Sequence, residues 1–382
     1  MPKTDIYFDH VSSTPVHPDL ITMFSQYTSL HYANSDALHD LGTRIDAMQN
    51  KSRESLAQLL GVLSEELYFT SGATESNNTL IKGIAFAYQH KSKHIITSKV
   101  EHSSVSASFL WLEQFCGFEV SWLEVDQDGR VTLEEVSKVL RPDTSLVSIM
   151  YVNNEVGTIM PIDAIADYIH QNSRALFHVD LVQAVAKVPF SLAKIDAASL
   201  SAHKIHGFKG SGLIYKRKNI VCESLIHGGQ QEHGLRGGTQ NAVTNILWAK
   251  TLRLALEEYQ AHHLDVKNMN DYLRQELSKM DAIIINSPTK DVSAYILNFS
   301  CLSISSEVLL NFFNQEHIYV SAQSTCSSKT KTYSKTLSAM GVSQERLNGS
   351  IRIGLSSMNT LEECVQFIST LQEGLKKYGN PR

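Results

Sequence analysis

From about residue 60 to residue 216, short β-rich runs alternate with stretches of helical pattern, and this alternation limits the fold more than any other feature of the chain. The runs are HIIT from His94, VSWL from Val120, SLVSIMYV from Ser145, ALFHV from Ala175, AASLS from Ala197 and GLIY from Gly212. Strands separated by helical segments are the pattern of a mostly parallel sheet, because a parallel partner is reached only by a crossover, usually a helix. Two crossovers carry start signals. TLEEVSKVL has Thr132 and Glu135 at capping-box spacing, and PIDAIADYIH opens on a proline suited to a first turn. The expected class is α/β, a large, mostly parallel sheet covered by helices.

Beyond Gly238 the pattern changes. Neither glycine nor proline follows until Pro288, while Val243, Ile246, Leu247, Leu252, Leu256, Leu264, Met269, Leu273 and Leu277 recur at helical spacing. This predicts a long helix or a helix pair leaving the first domain. AYILNFS from Ala294, a helical SSEVLLNFFNQ, IYVSA, a helical TYSKTLSAM and SIRIGLS then read as a smaller α+β domain. The expected division is a large domain over 14–250 and a small one from 1–13 and 251–382.

Composition narrows the partners. Lys and Arg number 34 against 39 Asp and Glu, with no block of like charge, which speaks against a nucleic-acid or anionic-membrane surface and favours small molecules or proteins. MPKTDIYFDH lacks a basic region followed by an apolar stretch, and no run approaches the roughly 18 apolar residues of a bilayer span, so a soluble, cytosolic protein is expected. Cys116, Cys222, Cys301, Cys326 and Cys364 are odd in number and form no CxxC pair, which argues against a disulfide framework and a zinc site. A cysteine that matters here acts as a thiol.

Three constellations fall just past strand-like runs. Thr70 to Asn78, TSGATESNN, places small hydroxyl residues and a glycine before a helix, where free N–H groups and the positive dipole end suit a phosphate. An ordinary Ser/Thr cap fits the same residues, and neither GxxxxGK[ST] nor GxGxxG is matched. Asp180 ends ALFHVD, at the edge where open α/β sheets bind ligands; there a carboxylate caps a helix, binds a metal or pairs with a protonated ring nitrogen. Gln183, three residues on, can address the same ligand. Lys204 follows SLSAH; taken alone it reads as a surface lysine. An anion site, an acid and a lysine on one edge are together what pyridoxal phosphate requires: a phosphate seat, a partner for its pyridinium and an amine for a Schiff base.

SGATESNN, TSKVEH, VNNEVGT from Val152, HVDLVQ, SAHKIHG, HGGQQEHGLRGGTQN from His227 and SAQSTCSS from Ser321 together resemble the NifS/IscS type of cysteine desulfurase, pyridoxal-phosphate enzymes of the class V aminotransferase family. The resemblance runs in order from YFDH to SIRIGLS. It implies a fold-type I architecture and a homodimer. Lys204 would hold the cofactor as a Schiff base and later move the Cα proton, Asp180 would pair with the pyridinium nitrogen, and His102 would stack on the ring and share in proton transfer. Gln183 would bond the ring hydroxyl; Ala73, Thr74, Ser201 and His203 would hold the phosphate, with Thr239 supplied by the second subunit. Asn34, Asn154 and Arg352 would bind the substrate, L-cysteine, with Asn154 also beside the cofactor. Cys326 would be the nucleophile.

Cys326 suits that role, since STCSS reads as an exposed loop, whereas the other four cysteines lie in apolar or helical settings. Several positions depart from the family pattern: Gln323 stands for a loop glycine, Gln230, Gln231 and His233 interrupt a glycine-rich stretch, and Ser12–Ser13–Thr14–Pro15 and Asn34–Ser35–Asp36–Ala37 replace the usual residues. Selenocysteine lyase, or another class V β-elimination or transamination, is the alternative within enzymes; a degenerate scaffold or regulator is the alternative outside them. The sulfur acceptor is left open among an iron–sulfur scaffold, a tRNA-thiolating enzyme and a relay protein, with the short tail ending KKYGNPR favouring something other than the housekeeping scaffold. No metal is expected: His203 with His206, and the pair His262–His263, lack a third ligand at sensible spacing. Asp126–Gln127–Asp128–Gly129 reads as a turn.

Overall fold

The computed structural model describes residues 5–322 and 333–379. In chain order its elements begin with β1 (Ile6–Tyr7), α1 (Pro18–Leu30), α2 (Asp40–Leu60), β2 (Leu67–Thr70), α3 (Ala73–Tyr88), β3 (His94–Ser98), α4 (Ser103–Cys116) and β4 (Glu119–Leu123). They continue with α5 (Leu133–Val139), β5 (Leu146–Ser148), α6 (Ile162–Asn172), β6 (Leu176–Asp180), β7 (Ala197–Ser201), β8 (Gly212–Lys216) and α7 (Ala242–Leu277). The last part holds β9 (Ile283–Ile285), β10 (Ile296–Cys301), α8 (Ser306–Gln315), β11 (Ile318–Tyr319), α9 (Lys335–Ala339), α10 (Gln344–Asn348), β12 (Ser350–Gly354) and α11 (Leu361–Tyr378).

Seven strands form one sheet in the order β2-β8-β7-β6-β5-β3-β4. From β4 across to β7 all pairings are parallel, and β8 is antiparallel to both β7 and β2. Being antiparallel to the same strand, β2 runs in the direction of β7. Every strand except β8 therefore ends at one edge, and the connections leaving that edge carry TSGATES, VEH, Asp180 and SAHK.

Alternation along the strands sends apolar side chains to both faces. Ile95, Leu146 and Ala197 pack with Leu80, Ile84, Val105 and Phe109 of α3 and α4. Ile96, Val147, Phe177 and Leu200 pack on the other face with Ile165 and Ile169 of α6 and Trp248 and Leu252 of α7. His178 is a core residue: its ring bridges Ser148 (2.8 Å) and Ser199 (3.1 Å) across three strands, and burial pushes its pKa down to about 3, so it stays neutral.

The glycine- and proline-free stretch forms one helix, α7, of 36 residues and about 54 Å, rather than a pair. Beyond it β9, β10 and β12 form an antiparallel sheet, packed through Phe299 against Phe367 of α11. The N-terminal segment belongs here too, with β1 pairing with β11 and Asp9 bridging to Gly354, before it turns toward the large sheet.

Two local readings change and a third, the turn at Asp126, holds. Thr132 caps α5 through Glu135 N–H (3.2 Å), but Glu135 turns its carboxylate to Lys138 and the box is half made. Pro161 occupies the N-cap of α6 rather than its first turn. Asp126 closes its turn on the N–H groups of Asp128 and Arg130, with Gly129 at φ 71°. Among the described residues no helix is long and apolar enough to cross a membrane.

Candidate active site

Helix α3 starts directly at the edge. Its N-cap is Gly72, at φ 152° and ψ 172°, a conformation that excludes a Cβ by backbone sterics although space around it is open. No side chain caps this end, so Ala73 and Thr74 begin the helix with N–H groups turned outward, as an anion requires. Ser71 and Glu75 bond each other instead, through the Ser71 N–H (3.0 Å) and hydroxyl, and Glu75 also takes Arg236 (3.1 Å).

Asp180 is buried at the end of β6. Its oxygens accept from Asn77 Nδ2 (2.9 Å) and Val182 N (2.9 Å). Both donors are neutral, so neither bond adds a positive charge beside the carboxylate. Asn77 lies one turn into α3 on its buried side, also donating to Ser104 Oγ (2.9 Å). It thus fastens the anion end of α3 to the acid. It sits within SGATESNN, and its position four residues after Ala73 on the buried helix face was the available signal.

Lys204 sits in the turn after β7, its Nζ donating to the carbonyls of Val11 and Ser12 at 2.7 Å each. Thr14 holds the same N-terminal segment from the other side, donating N–H and Oγ1 to His203 O at 3.0 Å. Burial, then the charge of Arg352, lowers Lys204 to about 8, against the opposing pull of Asp9 and Asp180. Roughly one molecule in ten then carries a free amine at pH 7, against less than one in a thousand for an ordinary lysine. Capture of added cofactor by the cofactor-free protein should accelerate up to about pH 8 and then level off. A rate that keeps climbing to pH 10, followed by growth of the visible band, would contradict the lowered pKa.

His102 is the N-cap of α4, its Nδ1 tied to Ser104 N (3.2 Å) and Oγ (2.8 Å). The residue is exposed, yet desolvation of the imidazole by its surroundings lowers its pKa; Asp180 opposes and Lys204 adds to the lowering. Glu101 beside it braces β3 against β5, its carboxylate taking Ser98 Oγ (2.6 Å) and Met150 N (3.0 Å); burial raises it to about 8. His203 lies next to Lys204 with Nδ1 at 3.3 Å from Ser13 Oγ, and burial followed by Lys204 brings it to about 4. Ser201 closes β7, buried.

Arg352 reaches in from β12. Its guanidinium donates to Asn154 O (2.9 Å), Asp9 Oδ1 (3.1 Å) and Ser12 Oγ (2.7 Å), which joins it to the segment that holds Lys204. Gln183 is buried, with Nε2 on Val11 O (3.1 Å) and Oε1 on Lys187 (2.7 Å). Lys187, Asp9 and the carbonyls of Val11 and Ser12 were not read from sequence, since a backbone carbonyl carries no signal there.

Asn34 and Thr239 lie elsewhere. Both are exposed, and the loop of Asn34 is knit to the segment of Thr239 through Ser35 and Gln240 (2.9 Å) and through Gln231, which donates to Asp36 and accepts from Gly238 N (3.0 Å). Among the described residues neither shares a hydrogen bond with Lys204 or Arg352. The departures Gln230 and Gln231 thus belong to this outer cluster, while Glu232 between them and His233 is buried against Arg53 (2.8 Å). Gln323 and Cys326 lie outside the described residues. A larger cavity of about 850 Å³, lined chiefly by apolar side chains such as Val62, Phe190 and Leu256, carries no comparable set of charged groups; chemistry rather than size marks the site.

An uncapped helix start, an acid bonded by neutral donors and a lysine of lowered pKa lie on one sheet edge, the groups that an anionic carbonyl cofactor held on an amine requires. The chain belongs to the aminotransferase class-V family, whose model matches residues 6–367, and its cofactor is pyridoxal 5'-phosphate. It is 40% identical over 372 residues to a NifS/IcsS protein homolog of Lactobacillus delbrueckii subsp. bulgaricus, covering 96% of each chain. It is 37% identical over 377 residues to a cysteine desulfurase IscS of Methanosarcina thermophila, covering 98% of this chain and 93% of the other. Among solved structures, a NifS-like protein superposes with a TM-score of 0.92 at 36% identity, covering 98% of this chain and all of that one. The fold is accordingly that of the fold-type I pyridoxal-phosphate enzymes.

Proposed function

We propose that this chain is a cysteine desulfurase, converting L-cysteine to L-alanine while its sulfur passes to Cys326 as a persulfide. The observation that carries the reading is the shared anchoring of Lys204 and Arg352 on residues 9–12. It sets an amine and a guanidinium side by side, one for the amino-acid nitrogen and Cα, the other for its carboxylate.

Bound pyridoxal phosphate supplies an electron sink that acidifies Cα and labilises bonds at Cβ. The protein does the rest. Ala73, Thr74, Ser201 and His203 would seat its phosphate, Asp180 would pair with its ring nitrogen, and His102 would contact its ring. Arg352, steadied on the Asn154 carbonyl, orients the substrate carboxylate. Lys204, a base near neutrality, takes the Cα proton. Cys326 as thiolate attacks the substrate sulfur, the Cβ–S pair stays on carbon, and protonation there yields alanine.

Thr239 and Asn34 fit a role across a homodimer, because their outer cluster adjoins exposed apolar residues, Tyr32 at 77% and Leu38 at 100%, that a second copy would cover. The released sulfur serves an acceptor for iron–sulfur or thiolated-RNA synthesis, in the cytoplasm.

Incubation with cysteine should yield alanine and protein-bound persulfide in equal amounts in the first turnover. Alanine without persulfide, or neither, would refute the proposal. In a dilution series of the same assay, full specific activity from a strict monomer would refute the pairing.

A further inference from the structure

Lys187 is a second lysine behind the site, and nothing in the reaction just described uses it. It is 9% exposed, at the margin of a cavity of about 30 Å³ shared with His10, Lys204 and His206. Its Nζ donates to Gln183 Oε1 at 2.7 Å, Gln183 Nε2 donates to Val11 O at 3.1 Å, and Lys204 Nζ donates to that same carbonyl at 2.7 Å. The two lysines are thus the ends of one hydrogen-bonded chain, Lys187–Gln183–Val11–Lys204.

The chain has a direction. An amide offers an oxygen that accepts and a nitrogen that donates twice, and its two ends are interchangeable in shape. A lysine nitrogen held against the oxygen decides between them, because turning the amide over would set N–H against N–H. Gln183 is itself 4% exposed, so a wrong orientation would bury unpaired groups on both sides. With one N–H on Val11 O and the oxygen held by Lys187, the second N–H of Gln183 is the donor left to offer a ligand.

We propose that Lys187 is a positioning residue: by holding Gln183 Oε1 it obliges Gln183 to present an N–H to the cofactor's ring oxygen, and it keeps a basic group beside Lys204. This rests on the reading that Gln183 faces that oxygen. The groups around Lys187 are mostly cationic or basic: Lys204 after β7, Arg352 on β12, His10 in the N-terminal segment, and His203 and His206 in the turn beyond Lys204, with Asp9 and Asp180 opposing at Lys204 and Glu258 of α7 across the small cavity. Burial, then Lys204 and Arg352, lowers Lys187 to about 7. Charged or neutral, the nitrogen still donates.

The test is a pH titration of the visible band of the lysine-bound cofactor in the intact holoenzyme, for the parent, Lys187→Met and Lys187→Arg. Removing the N–H donated to the ring oxygen and removing a neighbouring cation both favour the protonated form, so in Lys187→Met the midpoint should rise by about one pH unit, tenfold in proton affinity. Lys187→Arg should stay near the parent. Gln183→Met deletes the donor from the other end and should move the midpoint the same way, which keeps the test decisive if Lys187→Met fails to accumulate. A midpoint equal to the parent's in either methionine variant, with the band intact, overturns the positioning role alone. A parent that forms no band overturns the reading of the site and this proposal with it.

Discussion

Replacing Lys204 by alanine should give a folded protein from which borohydride traps no cofactor and in which turnover falls by several orders of magnitude. The side chain is half-buried in a turn; without it the Val11 carbonyl still accepts from Gln183 Nε2 (3.1 Å), and the Ser12 carbonyl, on an exposed residue, is the one left to water. The fold should therefore survive. Phosphate contacts at the start of α3 do not involve the lysine, so the variant should still bind the cofactor without the covalent bond. Two other lysines are controls. Lys209→Ala, on the exposed continuation of the same loop, should keep both trapping and turnover. Lys187 is close but held by Gln183, so it should not take over. A borohydride-trapped peptide recovered intact from the Lys204 variant would end the assignment.

Cys326→Ala should separate the two chemical halves. Lys204, Asp180, Asn154 and Arg352 are untouched, so the variant should bind cofactor and cysteine with the spectral change of the parent. Persulfide formation and cysteine-dependent alanine release should fall by several orders of magnitude, because deleting a nucleophile removes a covalent route rather than weakening it. The other cysteines are poor substitutes. Cys301 and Cys364 are buried, and burial lifts Cys222 and Cys364 to about 12. Cys116 ends α4, about 20 Å along that helix from His102 at its start. Selenocysteine is the internal control, since selenium leaves more easily: turnover of it by Cys326→Ala, without turnover of cysteine, would indicate a lyase reaction independent of the thiol. If the variant turns over cysteine at the parent rate, thiol-independent β-elimination replaces the desulfurase mechanism.

The Lys204 expectation descends from a strand end. The runs ending at Ser98, Asp180 and Ser201 were legible because a strand buried on both faces is rich in apolar and small residues, even with His178 and Ser199 inside it. The same reasoning could not show that β8 runs against its neighbours, since a run such as GLIY is equally apolar in either direction. Nor could it show half a capping box at Thr132, where an exposed Lys138 competes for Glu135. The long helix was legible in extent, because missing glycine and proline is a local property, but not in being unbroken.

The sequence by itself determined the α/β class, the residues that crowd the sheet edge and, through seven short motifs in order, the chemistry they share. Only the tertiary structure decided how those residues are held. Lys204 is anchored 193 positions away on Val11, Asp9 pairs with Arg352 across 343 positions, and Asn77 meets Asp180 across 103. Periodicity and capping are set by neighbours within a few residues, so they leave a trace in the string. A hydrogen bond to a distant backbone carbonyl leaves none, because every residue but proline offers the same donor and acceptor, and packing alone chooses which of them meet.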